Sequence, residues 1–232
     1  YGNGGRMLPL LNATTYPSDL EENAIQIIGE EDGVFDASDY ILFYAEGTDT
    51  WNTESLTSVN LFSDRSFYYV TTSAGTGKRI ASAAEPSATA GLTFSQFDDQ
   101  ICYEKDLFNV GKVGRRWFGE PFNINNTQTF AFTIPNLDVT VPVEVKINTA
   151  SKSYGNSSFN FKVNGQDLGN VNFPQIVPNG GIEGYETALN TTFLATSSTL
   201  SFLVSYSNGG VPNSNGYLDF IRCKVKRNLT GY

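Results

Sequence analysis

The sequence predicts an all-β chain built as two β-rich modules, the second an antiparallel β-sandwich, with at most one or two short helices. Three observations lead there. Apolar residues alternate at period two through most of the C-terminal half, the signature of half-buried antiparallel strands. Helix-start signals are scarce. Only 17% of the 232 residues are charged, so Asn, Ser, Thr and Gly supply the surface polarity, and these are turn residues. At roughly 100–200 residues per domain the length fits one large domain or two small ones.

Taken in order, the first helix-start signal is Ser18-Asp19-Leu20-Glu21-Glu22, an N-cap followed by an acidic first turn. It runs into Ala24-Ile25-Gln26-Ile27-Ile28, which reads equally well as a strand. Tyr40–Ala45 and Ser66–Thr71 are short and rich in β-branched and aromatic residues, which predicts strands. Residues 73–96 are rich in Ala, Ser, Thr and Gly and read as loop. A short helix is expected over Tyr103–Val113, where Leu107, Val110 and Val113 recur at intervals of three, although Gly111 and Gly114 weaken it.

The alternating block follows. Phe130, Phe132 and Ile134 share one strand face. So do Val141, Val143, Val145 and Ile147; Phe159, Phe161 and Val163; Leu200, Phe202, Val204 and Tyr206; and Ile221, Cys223 and Val225. Weaker strands are expected near Val171 and Phe193. Asn164-Gly165 predicts a tight hairpin. The expected division is residues 1–85 as the N-terminal module, 86–120 as a linker with the short helix, and 121–232 as the sandwich.

Composition excludes several chemistries. The chain has no histidine, so it cannot contain a Ser-His-Asp triad, a Cys-His dyad or a His-containing zinc site of its own. A net charge of −9 argues against nucleic-acid binding, which needs a basic face. No stretch approaches the ~20 apolar residues of a membrane-spanning helix. The chain starts at Tyr1 without an initiator Met and shows no signal peptide, so it reads as a piece of a longer protein.

Few residues carry candidate chemistry. Ala74–Arg79 fails as a phosphate loop, since Thr72 stands where a Gly is needed and Arg79 follows the Lys. Asp32, Asp36 and Asp39 could hold calcium, but they lack the spacing of a calcium loop and read better as solvated acids, so no cofactor is expected. Asp98, Asp99 and Glu104 are carboxylates with nothing to fix a catalytic separation. Cys102 and Cys223 leave two states open: a bridge, or a buried reduced thiol at Cys223. Trp51 and Trp117 lie in polar surroundings and, with Tyr185, are the candidate binding aromatics, although each Trp reads better as a plug in a seam between strands.

An ordered series of short stretches then carries a resemblance. It comprises Tyr1–Pro9, Asp19–Ile25, Asp39–Gly47 with Trp51, Tyr68–Thr71, Tyr103–Leu107, Gly114–Glu120 and Gly216–Ile221. This series resembles the PorU signal peptidases (sortases) of the type IX secretion system, relatives of the gingipain cysteine peptidases. The likeness is to the region before the peptidase domain. It implies a non-catalytic N-terminal β module, since the catalytic His and Cys of that family lie in the later domain. For the parent it implies removal of C-terminal secretion signals and attachment of cargo to surface lipopolysaccharide. It also implies a place at the surface or outer membrane of a Gram-negative bacterium. The implied partners are its own peptidase domain and a PorV-like outer-membrane barrel. Trp117-Phe118-Gly119-Glu120 is the expected inter-domain seam. Two alternatives stand beside this reading. The second block looks like jelly-roll modules that bind glycans, which would make surface glycan a partner. The first block resembles gingipain propeptides, which would make the chain a prodomain-like regulator.

Overall fold

A computed structural model describes residues 1–5, 17–49, 59–60, 62–72, 75–85, 87, 91–112, 114 and 116–230. Trp51 lies outside these residues. The chain is all-β and antiparallel, with no α-helix among the described residues and a single 3-10 turn at Glu30–Asp32. Contacts divide it into residues 1–90 and 91–232.

Residues 1–90 contain a two-stranded ribbon, β1 (Ile25–Ile28) paired with β2 (Tyr40–Phe43). The ambiguous Ala24–Ile28 stretch is therefore strand. No helix begins at Ser18, because Asn3 holds this segment open: its side chain donates to Asp19 O at 2.8 Å and accepts from Glu21 N–H at 2.7 Å. Ser66–Thr71, expected as a strand, belongs to no strand; Tyr69 N–H instead bonds Tyr1 O at 2.9 Å.

Residues 91–232 form the sandwich. One sheet has the order β5-β10-β7-β8, with β5 at Thr127–Thr133, β10 at Thr199–Ser207, β7 at Ser157–Val163 and β8 at Gln166–Phe173. The other has the order β3-β11-β6-β9. Here β3 is Gln96–Glu104, β11 Asn215–Asn228, β6 Val143–Lys152 and β9 Tyr185–Phe193. The two-residue β4 (Pro121–Phe122) pairs with the start of β11. The alternating faces close on each other as the sequence predicts. Val143, Val145 and Ile147 meet Phe159, Phe161, Leu200, Phe202 and Val204, all fully or almost fully buried. Aromatic pairs lock the two layers, Phe122 against Phe159 edge-on at 5.1 Å and Phe193 against Phe202 at 6.1 Å. Asn164 and Gly165 both take positive φ, 47° and 85°, which gives the hairpin turn that matches strand twist.

Two expectations fail in residues 96–120. The stretch read as linker contains β3, nine residues paired along the whole C-terminal half of β11. The helix over 103–113 does not form. Val113 lies outside the described residues, and the chain instead turns at Asn109–Lys112, with Lys112 at φ 55° and Gly114 at φ 73°.

Cys102 and Cys223 form no bridge, and the register gives the reason. Cys102 stands opposite Arg222, and Cys223 opposite Ile101. Neighbouring residues of a strand face opposite sides, so the two thiols lie on opposite faces of the sheet. Burial pushes the Cys223 thiol up to about 12. We expect a maleimide at pH 8 to label Cys102 of the native chain well before Cys223, both reacting alike after denaturation. Mass spectrometry of the labelled peptides checks this.

Gly216 in β11 is the one strand glycine the core requires. A Cβ there would lie 2.6 Å from Phe159 Cζ and 2.7 Å from Tyr206 Cδ2. Gly216→Ala is expected to cost about 1–3 kcal/mol by overpacking, read as a lower urea midpoint.

Candidate functional site

The outer face of the β3-β11-β6-β9 sheet is not bare. Register between β11 and β6 slips by one residue between Leu218 and Phe220, so Asp219 is the extra residue of a β-bulge. Before the bulge Leu218 points into the core; after it Ile221, Cys223 and Val225 do. Phe220 is thereby turned to the outer face. It is nevertheless fully buried, with the Arg222 guanidinium 4.2 Å from its ring centroid and Lys146 Nζ at 5.8 Å.

The described residues of the segment 105–120 lie across this face as a strap. Leu107 and Phe108 N–H both bond Phe118 O at 2.8 Å, and Phe118 N–H returns to Phe108 O at 2.9 Å. Gly119 N–H bonds Leu218 O at 2.6 Å. Gly119 sits so close that a Cβ would lie 3.1 Å from Lys105 O and 3.2 Å from Leu218 O. Tyr217 is pinned between Phe108 and Phe118, with centroids 6.0 and 6.2 Å away.

Arg116 clamps the strap to the sheet. Its Nε donates to Glu186 Oε2 at 3.0 Å and its Nη2 to Oε1 at 2.6 Å; Nη1 and Nη2 reach Asp219 Oδ1 and Oδ2 at 3.2 and 2.6 Å. Asn148 donates to both carboxylates, at 2.6 and 2.8 Å. The Asp219 side chain is wholly buried. Burial raises its carboxyl to about 6 against the pull of Arg116. Glu186 moves the other way: burial would raise it, but hydrogen bonds from Arg116 and Asn148 hold it below its ordinary value. Burial also raises Asp106, with the Glu104 charge adding to it.

All four donor contacts of Arg116 go to protein carboxylates. Asp98 pairs with Lys226 at 2.5 Å and Asp99 with Arg227 at 2.8 Å, so these carboxylates belong to strand-edge ion pairs. Among the described residues no group of three or more His, Cys, Asp or Glu is placed to hold a metal ion. Asp32, Asp36 and Asp39 accept hydrogen bonds from Val34, Ser38 and Asp36 N–H, which caps local turns.

The strap presents three apolar side chains outward, Leu107, Phe108 and Trp117, the last 37% exposed, together with Lys105 and Lys112. Trp117 thus stands at the surface beside the clamp. Tyr185 does not join it. It faces inward from β9 and packs, half-buried, against the sandwich core. The aromatic side chains of the strand block are mostly spent between the sheets, while Tyr154 is exposed. Sequence reasoning singled out Trp117 but missed Arg116, Glu186, Asp219 and Asn148. They lie up to 103 residues apart in sequence and carry no common motif.

Solved structures with a similar fold exist. Latent dimeric PorU from Porphyromonas gingivalis matches 98% of this chain with a TM-score of 0.72 at 20% identity, and the chain spans 21% of that protein's length. A family 36 carbohydrate-binding module in complex with calcium and xylotriose matches 54% of the chain at 14% identity, over 98% of its own length, with a TM-score of only 0.35. A module from Cellvibrio mixtus lichenase 5A, in complex with cellotriose, matches 56% at 16% identity, over 88% of its own length, with a TM-score of 0.31. The first shares the fold of essentially the whole chain. The others are too dissimilar to bear on function. No protein-family model and no curated protein matches the sequence.

Removing Arg116 would leave two carboxylates against the sheet without their cation. Arg116→Ala is expected to cost about 3 kcal/mol, the low end for a broken buried pair because the guanidinium is partly exposed. Denaturant melts measure it. The pH dependence has a definite sign. The folded Asp219 carboxyl titrates near 6, above its ordinary 3.8, so this residue makes the fold gain stability as pH falls from about 6 toward 4. Glu186, held low, loses its contribution only below its ordinary 4.5. Between pH 6.5 and 4.5 the stability of the unsubstituted chain should therefore rise relative to that of Asp219→Asn, read from urea midpoints of the two.

Proposed function

We propose that the chain is a non-catalytic N-terminal β module of a PorU-like cell-surface cysteine peptidase, docking and supporting the peptidase domain of its parent. The observation that carries this reading is the fold match over 98% of the chain to latent PorU. The order of the sequence stretches that resemble PorU supports it independently. In this reading the parent removes C-terminal secretion signals and attaches cargo to surface lipopolysaccharide at the outer membrane. The docking surface in this proposal is the strap, because Leu107, Phe108 and Trp117 are each exposed by a third or more on a segment that the Arg116 clamp holds in place. Such anchors, rigid and partly buried, are the residues that carry interface energy. A PorV-like barrel is a second partner in this proposal, and neither a metal nor any other cofactor is required.

The test is capture. Immobilised chain is exposed to the separately expressed peptidase domain and to outer-membrane extract, with a glycan array on the same preparation. Saturable capture of the peptidase domain, weakened about tenfold or more in Trp117→Ala, is expected for an aromatic hot spot. Binding of glycans with no protein captured would overturn the docking role in favour of a carbohydrate module. Inhibition of the peptidase by added chain would instead favour the prodomain-like reading.

A further inference from the structure

Residues 1–90 differ from the sandwich in two ways. Every buried hydrophobic residue among those described lies in residues 91–232. In residues 1–90, Tyr40, Ile41, Leu42, Phe43 and Tyr44 are all exposed by a third or more. The charge is also unevenly placed. Residues 1–90 hold 13 Asp and Glu against 4 Lys and Arg, whereas residues 91–232 hold 11 of each. The whole net charge of −9 therefore belongs to the first unit, and 8 of its acids lie in residues 19–39, around β1.

The ribbon has a usable edge. Ile25 turns its backbone away from β2, its N–H bonding Lys78 O at 3.0 Å and its O accepting from Ile80 N–H at 2.9 Å. Ile27, two residues on, turns its N–H and C=O the same way. Among the described residues nothing bonds them there. By register Ile25, Ile27, Ile41 and Phe43 share one face of the ribbon. With Tyr68, Val70 and their neighbours that face lines a largely apolar cleft of about 320 Å³, whose charged side chains are Glu22, Lys78 and Arg79.

We propose that residues 1–90 accept an extended, basic segment of a second, different polypeptide. The segment pairs with the Ile27 edge of β1 and sets an apolar side chain into the cleft. Free backbone groups at an edge supply main-chain hydrogen bonds, and a pocket beside the edge reads alternate side chains. The acidic excess of residues 1–90 as a whole, not the cleft's own lining, selects the charge of the partner and repels anionic ligands. It also disfavours a second copy of this unit, which would bring the same −9. This inference goes beyond the docking role proposed above: it concerns a separate surface, on residues 1–90 and not on the strap.

The test uses the full chain and three labelled ten-residue peptides: alternating Lys with Val and Ile, the same pattern with Glu for Lys, and the Lys peptide N-methylated at alternate residues. The Lys peptide is expected to bind by fluorescence anisotropy, more weakly as salt screens the charges, with amide shifts centred on Ile25 and Ile27. The Glu and N-methylated peptides are expected not to bind. Ile27→Ala should weaken binding about tenfold, the burial lost from one isoleucine side chain. Should that variant disturb the ribbon, Glu21→Lys/Glu31→Lys leaves the strands untouched and is expected to weaken binding and flatten its salt dependence. Equal binding of all three peptides, shifts confined to residues 91–232, or self-association of the chain through the Ile27 edge would each overturn the proposal. Peptide binding without capture of the peptidase domain would sink the docking reading alone; capture without peptide binding would sink this one alone.

Discussion

The bulge at Asp219 is the constraint on which the sandwich depends. β11 is 14 residues long and touches β3, β4 and β6. A strand of that length with strict alternation could not keep both Leu218 and Ile221 on the core side, because they are three residues apart. The extra residue reverses the phase once, and both stay buried. The cost is a carboxylate and a phenylalanine delivered to the outer face at the middle of a sheet. Arg116 answers the first and the stacked Arg222 the second. The clamp on the strap therefore depends on the bulge. Without Asp219, Arg116 would keep only Glu186, and without Arg116 the segment between β3 and β4 would be held by the Gly119–Leu218 backbone bond and the Tyr217 ring contacts.

This also explains which parts of the structure are readable from the sequence. Phe159, Phe161 and Val163, or Leu200, Phe202, Val204 and Tyr206, announce their strands because each repeats at period two with one face buried. Asn164-Gly165 announces its turn because both positions need positive φ. The strap is illegible for the converse reason. Its shape is set by Leu218 O, Asp219 and Glu186, groups some 70–100 residues downstream, and no local pattern encodes them. Its spacing of three at Leu107, Val110 and Val113 mimics a helix, and the left-handed turn at Lys112 decides otherwise.

The cysteines show the same limit on a smaller scale. Separation along the chain allows a bridge between Cys102 and Cys223, and a cross-link closing so long a loop would stabilise by about 4–5 kcal/mol in the chain-entropy model. Registry forbids it. A shift of one residue in the pairing of β3 with β11 would bring the two thiols to the same face. It would also turn Ile101 and Tyr103 out of the core they now pack against, so the hydrophobic pattern of β3 decides the state of the thiols.

The two units differ in how they satisfy the same physical demand. The sandwich buries its aromatics between two sheets and balances its charges, 11 against 11, much of this through ion pairs such as Lys226 with Asp98 and Arg227 with Asp99. The first unit leaves its apolar strand residues in contact with solvent and its acids in excess. Exposed apolar area carries a free-energy cost roughly proportional to that area, and clustered like charge adds to it. A surface with both properties is relieved by one kind of neighbour, a polypeptide surface that is apolar and basic. Covering the β1–β2 ribbon would stabilise residues 1–90 by the same burial that already holds residues 91–232 together. A partner would thus add burial to the first unit, whereas the second has its core complete without one.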